Sequence, residues 1–194
     1  MKQPVQKRTL KTRAKMVETA TALVAEHGYQ ALRVEDVVAG AGVAKGTFFA
    51  HFSDKDALMD LLIGAEIDRH LDRIETLPAP HDIDEMTAAI MPMMQFMTTD
   101  RYVFDVILRH SGAALAEDIG VIAATFMRQA QVLAAWLANG PFRRDVPPAI
   151  LAEGVQAFAI QAMALHFCAL HNEVQLEHRL RPYLQAWLLP SAPA

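Results

Sequence analysis

Cysteine is almost absent: Cys168 is the only one in 194 residues. No disulfide can form within a single chain, which points to a reducing compartment and hence to the cytoplasm. The basic N-terminus has no apolar run before Val17, so a secretory signal is not expected. The longest uncharged run, residues 154–172, is long enough to cross a bilayer, but Gln156, Gln161, His166 and His171 interrupt it and much of it is alanine. Insertion would be unfavourable, and no membrane partner is expected. The eight histidines lack metal-ligand spacing, so no metal or other cofactor is expected. Neither paired carboxylates nor a nucleophile with a base stand at useful spacing, which argues against an enzyme. Strand-like alternation, repeats and low-complexity segments are missing too.

Lysine is absent after Lys55. Residues 1–55 hold nine lysines and arginines against five acids, whereas residues 56–194 hold nine arginines against 17 acids. A basic head on an acidic body suggests that the head meets a polyanion. With 53% hydrophobic residues there is ample material for a core, and its periodicity is helical.

The first helix is predicted from about Thr9 to His27, with Met16, Ala20, Leu23 and Val24 on one face and Gly28 ending it. A second spans about Val34–Gly40, with Glu35 and Asp36 at its positive end. After the turn Gly40-Ala41-Gly42-Val43 comes a short helix within GVAKGTFFAHFSDK, and Ser53 is expected to cap a fourth helix running to about Ile74. Beyond Leu77-Pro78-Ala79-Pro80, helices are expected near 83–98, 101–110, 114–138, 148–171 and 173–189, with Pro92 kinking or dividing the first. The expectation is an all-α chain of about nine helices in two domains, 1–53 and 54–194.

Two helices joined by a tight glycine turn, the second very short, make a helix-turn-helix, whose second helix enters the major groove of DNA. At 100° per residue, Phe48 and Phe52 share a face with Val43 and anchor the short helix. Lys45, Gly46, Thr47, Phe49 and Ala50 then face outward. Glycine at 46 lets the backbone approach DNA, Phe49 offers an exposed ring to a sugar or thymine methyl, and His51 and Lys55 suit phosphates.

These residues carry a resemblance. Ala20, Gly28-Tyr29, Val37, Ala41-Gly42-Val43, Gly46, Phe49, His51-Phe52, Lys55 and Leu58, correctly spaced over about 50 residues, resemble the N-terminal domain of TetR-family transcriptional regulators. The resemblance implies DNA contacts by Lys45, Thr47, Phe49, His51 and Lys55, with Arg33 at the edge of the motif. Three positions depart from the family pattern. Ala44 stands where a capping serine or threonine is usual, Phe49 where tyrosine is usual, and Arg33-Val34 open a helix that threonine normally opens.

Between Val155 and Leu170 the polar residues Gln156, Gln161 and His166 recur every five positions, so no face is wholly polar. Such a helix is expected to be buried on two sides, the second against another subunit. With the stripe Leu176, Leu180, Tyr183, Leu184, Trp187 and Leu188 it would form a four-helix homodimer interface, the arrangement the resemblance also implies. The candidate interface residues are Leu165, Phe167, Leu180, Leu184 and Trp187. Five methionines lie between Met86 and Met97, an adaptable apolar wall in a region where the resemblance places effector cavities. Met94, Met97, Phe104, Leu108, Met127 and Phe158 are the candidate lining of a pocket for a small hydrophobic or aromatic effector. The expected function is a ligand-responsive repressor that binds a pseudo-palindromic operator. The alternative is an architectural or activating DNA-binding protein of the same fold without a ligand.

Overall fold

The computed structural model describes residues 3–112 and 119–189. All regular structure among them is helical: α1 (Gln3–His27), α2 (Val34–Ala41), α3 (Lys45–Phe49), α4 (Lys55–Glu75), α5 (Ile83–Met97), α6 (Arg101–His110), α7 (Val121–Asn139), α8 (Pro148–His166) and α9 (Leu176–Leu188). The chain divides into two compact units, Met1–Gly64 and Ala65–Ala194. The division falls inside α4, beyond the boundary at 53/54 expected from sequence, because Leu58, Met59, Leu62 and Ile63 in the first half of that helix are buried.

In the first unit, Met16 and Ala20 of α1, Val37, Val38 and Ala41 of α2, and Phe48 of α3 are buried. The turn from α2 to α3 depends on Gly42, whose φ of 64° lies in the left-handed region that favours glycine. The Val43 amide then returns to the Val38 carbonyl at 3.0 Å, closing the end of α2. Helix α4 is capped by Asp54 rather than Ser53: the Asp54 carboxylate accepts from the Ala57 amide at 2.8 Å. A carboxylate serves the helix N-terminus as well as a hydroxyl and adds charge of the favourable sign.

In the second unit, Asp82 and Asp100 cap α5 and α6 through the amides of Glu85 and Val103, each at 2.8 Å. Pro92 does not divide α5, which runs unbroken to Met97. Pro92 and Ala88, the residue whose carbonyl loses its amide partner, are both exposed, so water can satisfy that carbonyl. Helix α7 packs on α8, and α8 on α9. At the C-terminal end of α7 the Arg144 guanidinium donates to the Ala138 and Gly140 carbonyls, both at 2.6 Å. The helix expected at 114–138 begins at Val121, its first residues falling partly among the undescribed 113–118. The helix expected at 148–171 ends at His166, so Cys168 sits half-buried in the following turn rather than inside an apolar helix. Helices α7 and α8 are each long and apolar enough to span a bilayer by length and composition, with mean hydropathy 1.3. Paired core helices meet the same test.

Candidate nucleic-acid interface and body cavity

Helix α3 is built from two aromatic anchors. Phe48 is fully buried and Phe52 nearly so, their ring centroids 5.3 Å apart. The Arg13 guanidinium of α1 lies 4.8 Å from the Phe52 ring centre, a cation–π contact that ties α1 to this anchor. Phe49 meets Phe48 edge-on yet stays 50% exposed. Lys45, Gly46 and Ala50 are exposed beside it, and Thr47 and His51 are half-buried. The helical period thus separates the two adjacent phenylalanines as the sequence pattern required.

Among the described residues nothing requires glycine at position 46. A Cβ there would meet no atom within 4 Å, and its backbone lies outside the positive-φ region. On helix propensity alone, alanine would be favoured there by roughly 0.5–1 kcal/mol. The Lys45 ammonium is held 2.6 Å from the Glu35 carboxylate of α2. The lysine pulls the Glu35 pKa below its ordinary value, chiefly through their hydrogen bond. Lys55 is folded back, its ammonium 3.5 Å from the Gln30 carbonyl, and burial lowers its pKa. Arg33 and Ala44 occupy the N-cap positions of α2 and α3, and neither side chain makes a capping bond.

The pocket residues proposed from sequence do not come together. Met94 and Met97 line a small cavity between α5, α7 and α8, with Met93, Phe126, Gln129, Gln156, Ala159, Ile160 and Met163. Its volume is about 10 Å³, room for roughly one water. Phe104 is buried elsewhere, its ring 5.6 Å from Phe167. Leu108 and Met127 are 42% and 55% exposed and do not line it. Phe158 lies against Tyr183 and Trp187 of α9. Gln129 is nearly buried although Arg128 and Gln131 flank it in sequence, so no local pattern marks it, and Gln156 reads in the sequence only as an interruption of an apolar face. A larger groove of about 360 Å³ lies among His81, Asp82, Asp84, Phe142 and Arg181. Within it Arg181 is paired with Asp84, and the His81 ring lies 3.1 Å from the Glu85 carboxylate beside the groove.

The candidate interface residues also divide. Leu180 and Leu184 are completely buried inside the protomer, on the stripe that α9 shares with Leu176 and Leu188. A side chain with no exposure has no surface left for a second chain, so these two belong to the protomer core. Leu165, Phe167 and Trp187 remain half-buried. Phe167 lies just past the end of α8, its ring centre 5.7 Å from the Arg101 guanidinium. Trp187 is seated by its indole N–H, which donates to the Leu151 carbonyl at 3.0 Å.

Next to Gln129 on α7, Arg128 donates to Asp68, Asp72 and Glu75 of α4 at 3.0, 2.7 and 2.7 Å. The Glu75 carboxyl is held below its ordinary pKa, chiefly by its hydrogen bond with Arg128. One guanidinium therefore fastens the second half of α4 to the helix that supplies part of the cavity wall.

The folded elements of the first unit define a helix-turn-helix protein. Residues 16–62, about a quarter of the chain, match the model described as bacterial regulatory proteins, tetR family. It is 32% identical over 72 residues to the HTH-type transcriptional repressor KstR2 of Mycobacterium tuberculosis, a match covering 35% of this chain and 36% of KstR2. With the uncharacterised HTH-type transcriptional regulator YvdT of Bacillus subtilis it shares 28% identity over 101 residues, covering 52% of each. The chain therefore matches only about a third to a half of the length of these curated relatives. Its fold is similar to that of Thermus thermophilus FadR, a TetR-family transcriptional repressor solved with lauroyl-CoA. The TM-score is 0.67, at 16% identity over 94% of this chain and 98% of FadR.

Proposed function

We propose that this chain is a ligand-responsive transcriptional repressor of the cytoplasm, which binds a pseudo-palindromic operator as a symmetric homodimer. The observation that carries the reading is the outward face of α3. Lys45 and Phe49 are exposed and Thr47 half-buried around Gly46, a glycine that the packing of the described residues does not require. In this reading Lys45 reads a base edge, Thr47 and His51 meet phosphates, and Gly46 lets the backbone close on the groove. Binding turns Lys45 from Glu35 toward the DNA. Lys55 and Arg33 contribute at the margin, and Ala44 contributes backbone alone.

The dimer forms through the side of α8 and α9 that the protomer leaves open. Phe158, Tyr183 and Trp187 make a half-buried aromatic cluster there, and Leu165 lies on the same helix as Phe158. Two-fold symmetry sets the recognition helices about 34–36 Å apart, one turn of duplex. A small apolar or aromatic effector opens the cavity at Met94 and Met97, and displacement of α7 reaches α4 through Arg128. Tenfold release of DNA requires only about 1.4 kcal/mol of preference for the incompetent state.

The test is a DNase footprint of the full chain on DNA flanking its own gene. A protected inverted repeat is expected. Sequence-independent coverage would instead favour an architectural role.

A further inference from the structure

The cavity between α5, α7 and α8 has a polar end whose hydrogen-bonding polarity is fixed by the backbone. The Phe126 carbonyl can only accept, so the Gln156 group 2.8 Å away must be its Nε2 amide. That nitrogen also lies 3.0 Å from the Gln129 side chain, which must then present its oxygen. Both hydrogens of Gln156 Nε2 are used. The Gln129 Nε2 donor and the Gln156 oxygen take part in neither of these two bonds, and both residues line a site walled by Met93, Met94, Met97 and Met163. Gln129 is itself only 7% exposed. None of the described residues lining the cavity is charged, and Arg128, next along α7, is already committed to Asp68, Asp72 and Glu75.

We infer that this cavity is the effector site and that it selects a neutral lipophile carrying a carbonyl or hydroxyl oxygen. That oxygen accepts from Gln129 Nε2, and a hydroxyl would also donate to the Gln156 oxygen. A carboxylate or phosphate ester would be desolvated there with no cation to meet it, so it is excluded. The present space of about 10 Å³ enlarges when the four methionines change rotamer, since their unbranched thioether chains repack readily. This inference rests on the ligand-controlled reading above and adds the chemistry of the ligand.

The probes are 2-alkanones from 2-heptanone to 2-tridecanone and the carboxylates of matching chain length. Each is titrated calorimetrically into the full chain at neutral pH, and the protein–operator complex is challenged in parallel. At least one ketone should bind about tenfold or more tighter than its matched carboxylate. Gln129→Leu and Gln129→Glu should each weaken that ketone roughly 5–10-fold, the loss of one hydrogen bond, with helical circular dichroism unchanged. The unmodified chain's preference between ketone and carboxylate is a readout independent of either variant's folding. Carboxylates binding as tightly as ketones, no ketone binding at all, or unchanged ketone affinity in both variants would each overturn the assignment. A ketone that binds but leaves the operator bound would refute ligand control while the site stands. A carboxylate that releases the operator without ketone binding would do the reverse.

Discussion

Gly154→Ala is a perturbation whose sign separates local propensity from packing. Gly154 lies inside α8, and on propensity alone alanine there would stabilise the helix by roughly 0.5–1 kcal/mol. The structure argues the opposite. An added Cβ would stand 2.2 Å from Trp187 Nε1 and 2.3 Å from Cε2, closer than any tolerable contact. The indole cannot shift without losing its 3.0 Å bond to the Leu151 carbonyl, worth about 1 kcal/mol. Over-packing of this kind costs about 1–3 kcal/mol more. After the propensity gain, a net destabilisation of about 1–3 kcal/mol is expected in urea unfolding followed by circular dichroism. Displacing Trp187 also disturbs Phe158, whose ring centroid lies 6.0 Å away, so the proposed dimer should weaken in sedimentation. In a Trp187→Ala background the obstacle is gone, and Gly154→Ala should become neutral or stabilising. A variant as stable as the parent, with unchanged Trp187 emission in a Trp136→Phe background, would refute the reasoning.

Other expectations follow from the same geometry. Lys45→Ala should weaken specific operator binding by about 1–3 kcal/mol if that lysine reads a base edge; Glu35→Gln, which frees the lysine, should tighten binding, both by fluorescence anisotropy. Arg128→Met should lower stability by about 1 kcal/mol, since its partners are substantially exposed, and should blunt ligand-induced release while leaving ligand-free operator binding intact. His70, stacked on Phe96 with centroids 5.7 Å apart, has a pKa pushed below 6.5 by burial and then by Arg73 and Arg69. The unfolded chain therefore takes up a proton that the folded chain resists, so stability should fall as pH drops through and below 6.5. His70→Phe should flatten that dependence in thermal unfolding at pH 7.5 and 5.5.

The head was legible in the sequence because its determinants are local. The left-handed turn needs Gly42, and a 100° rotation per residue decides that Phe48 goes inward and Phe49 outward. Helix starts were less legible where two capping residues compete, as at Ser53 and Asp54. The tolerance of Pro92 depended on whether Ala88 faces water, which no local pattern reveals. The body was harder still, because composition marks Met127 and Leu108 as apolar without saying which neighbour, if any, covers them. Leu184 and Trp187 share one apolar run, yet only the first is fully buried. Gln129 and Gln156 are ordinary in sequence and come within hydrogen-bonding distance only where α7 meets α8. Tertiary pairing, not residue type, decides each of these.

The central claim is that the open face of α3 reads DNA twice, related by two-fold symmetry. In vitro selection of bound duplexes from a random pool by the full chain tests it most directly. An enriched inverted repeat is expected, its half-site centres one or two helical turns apart, with enrichment lost for Lys45→Ala. Recovery of unrelated sequences, or of a single unrepeated half-site, would contradict it.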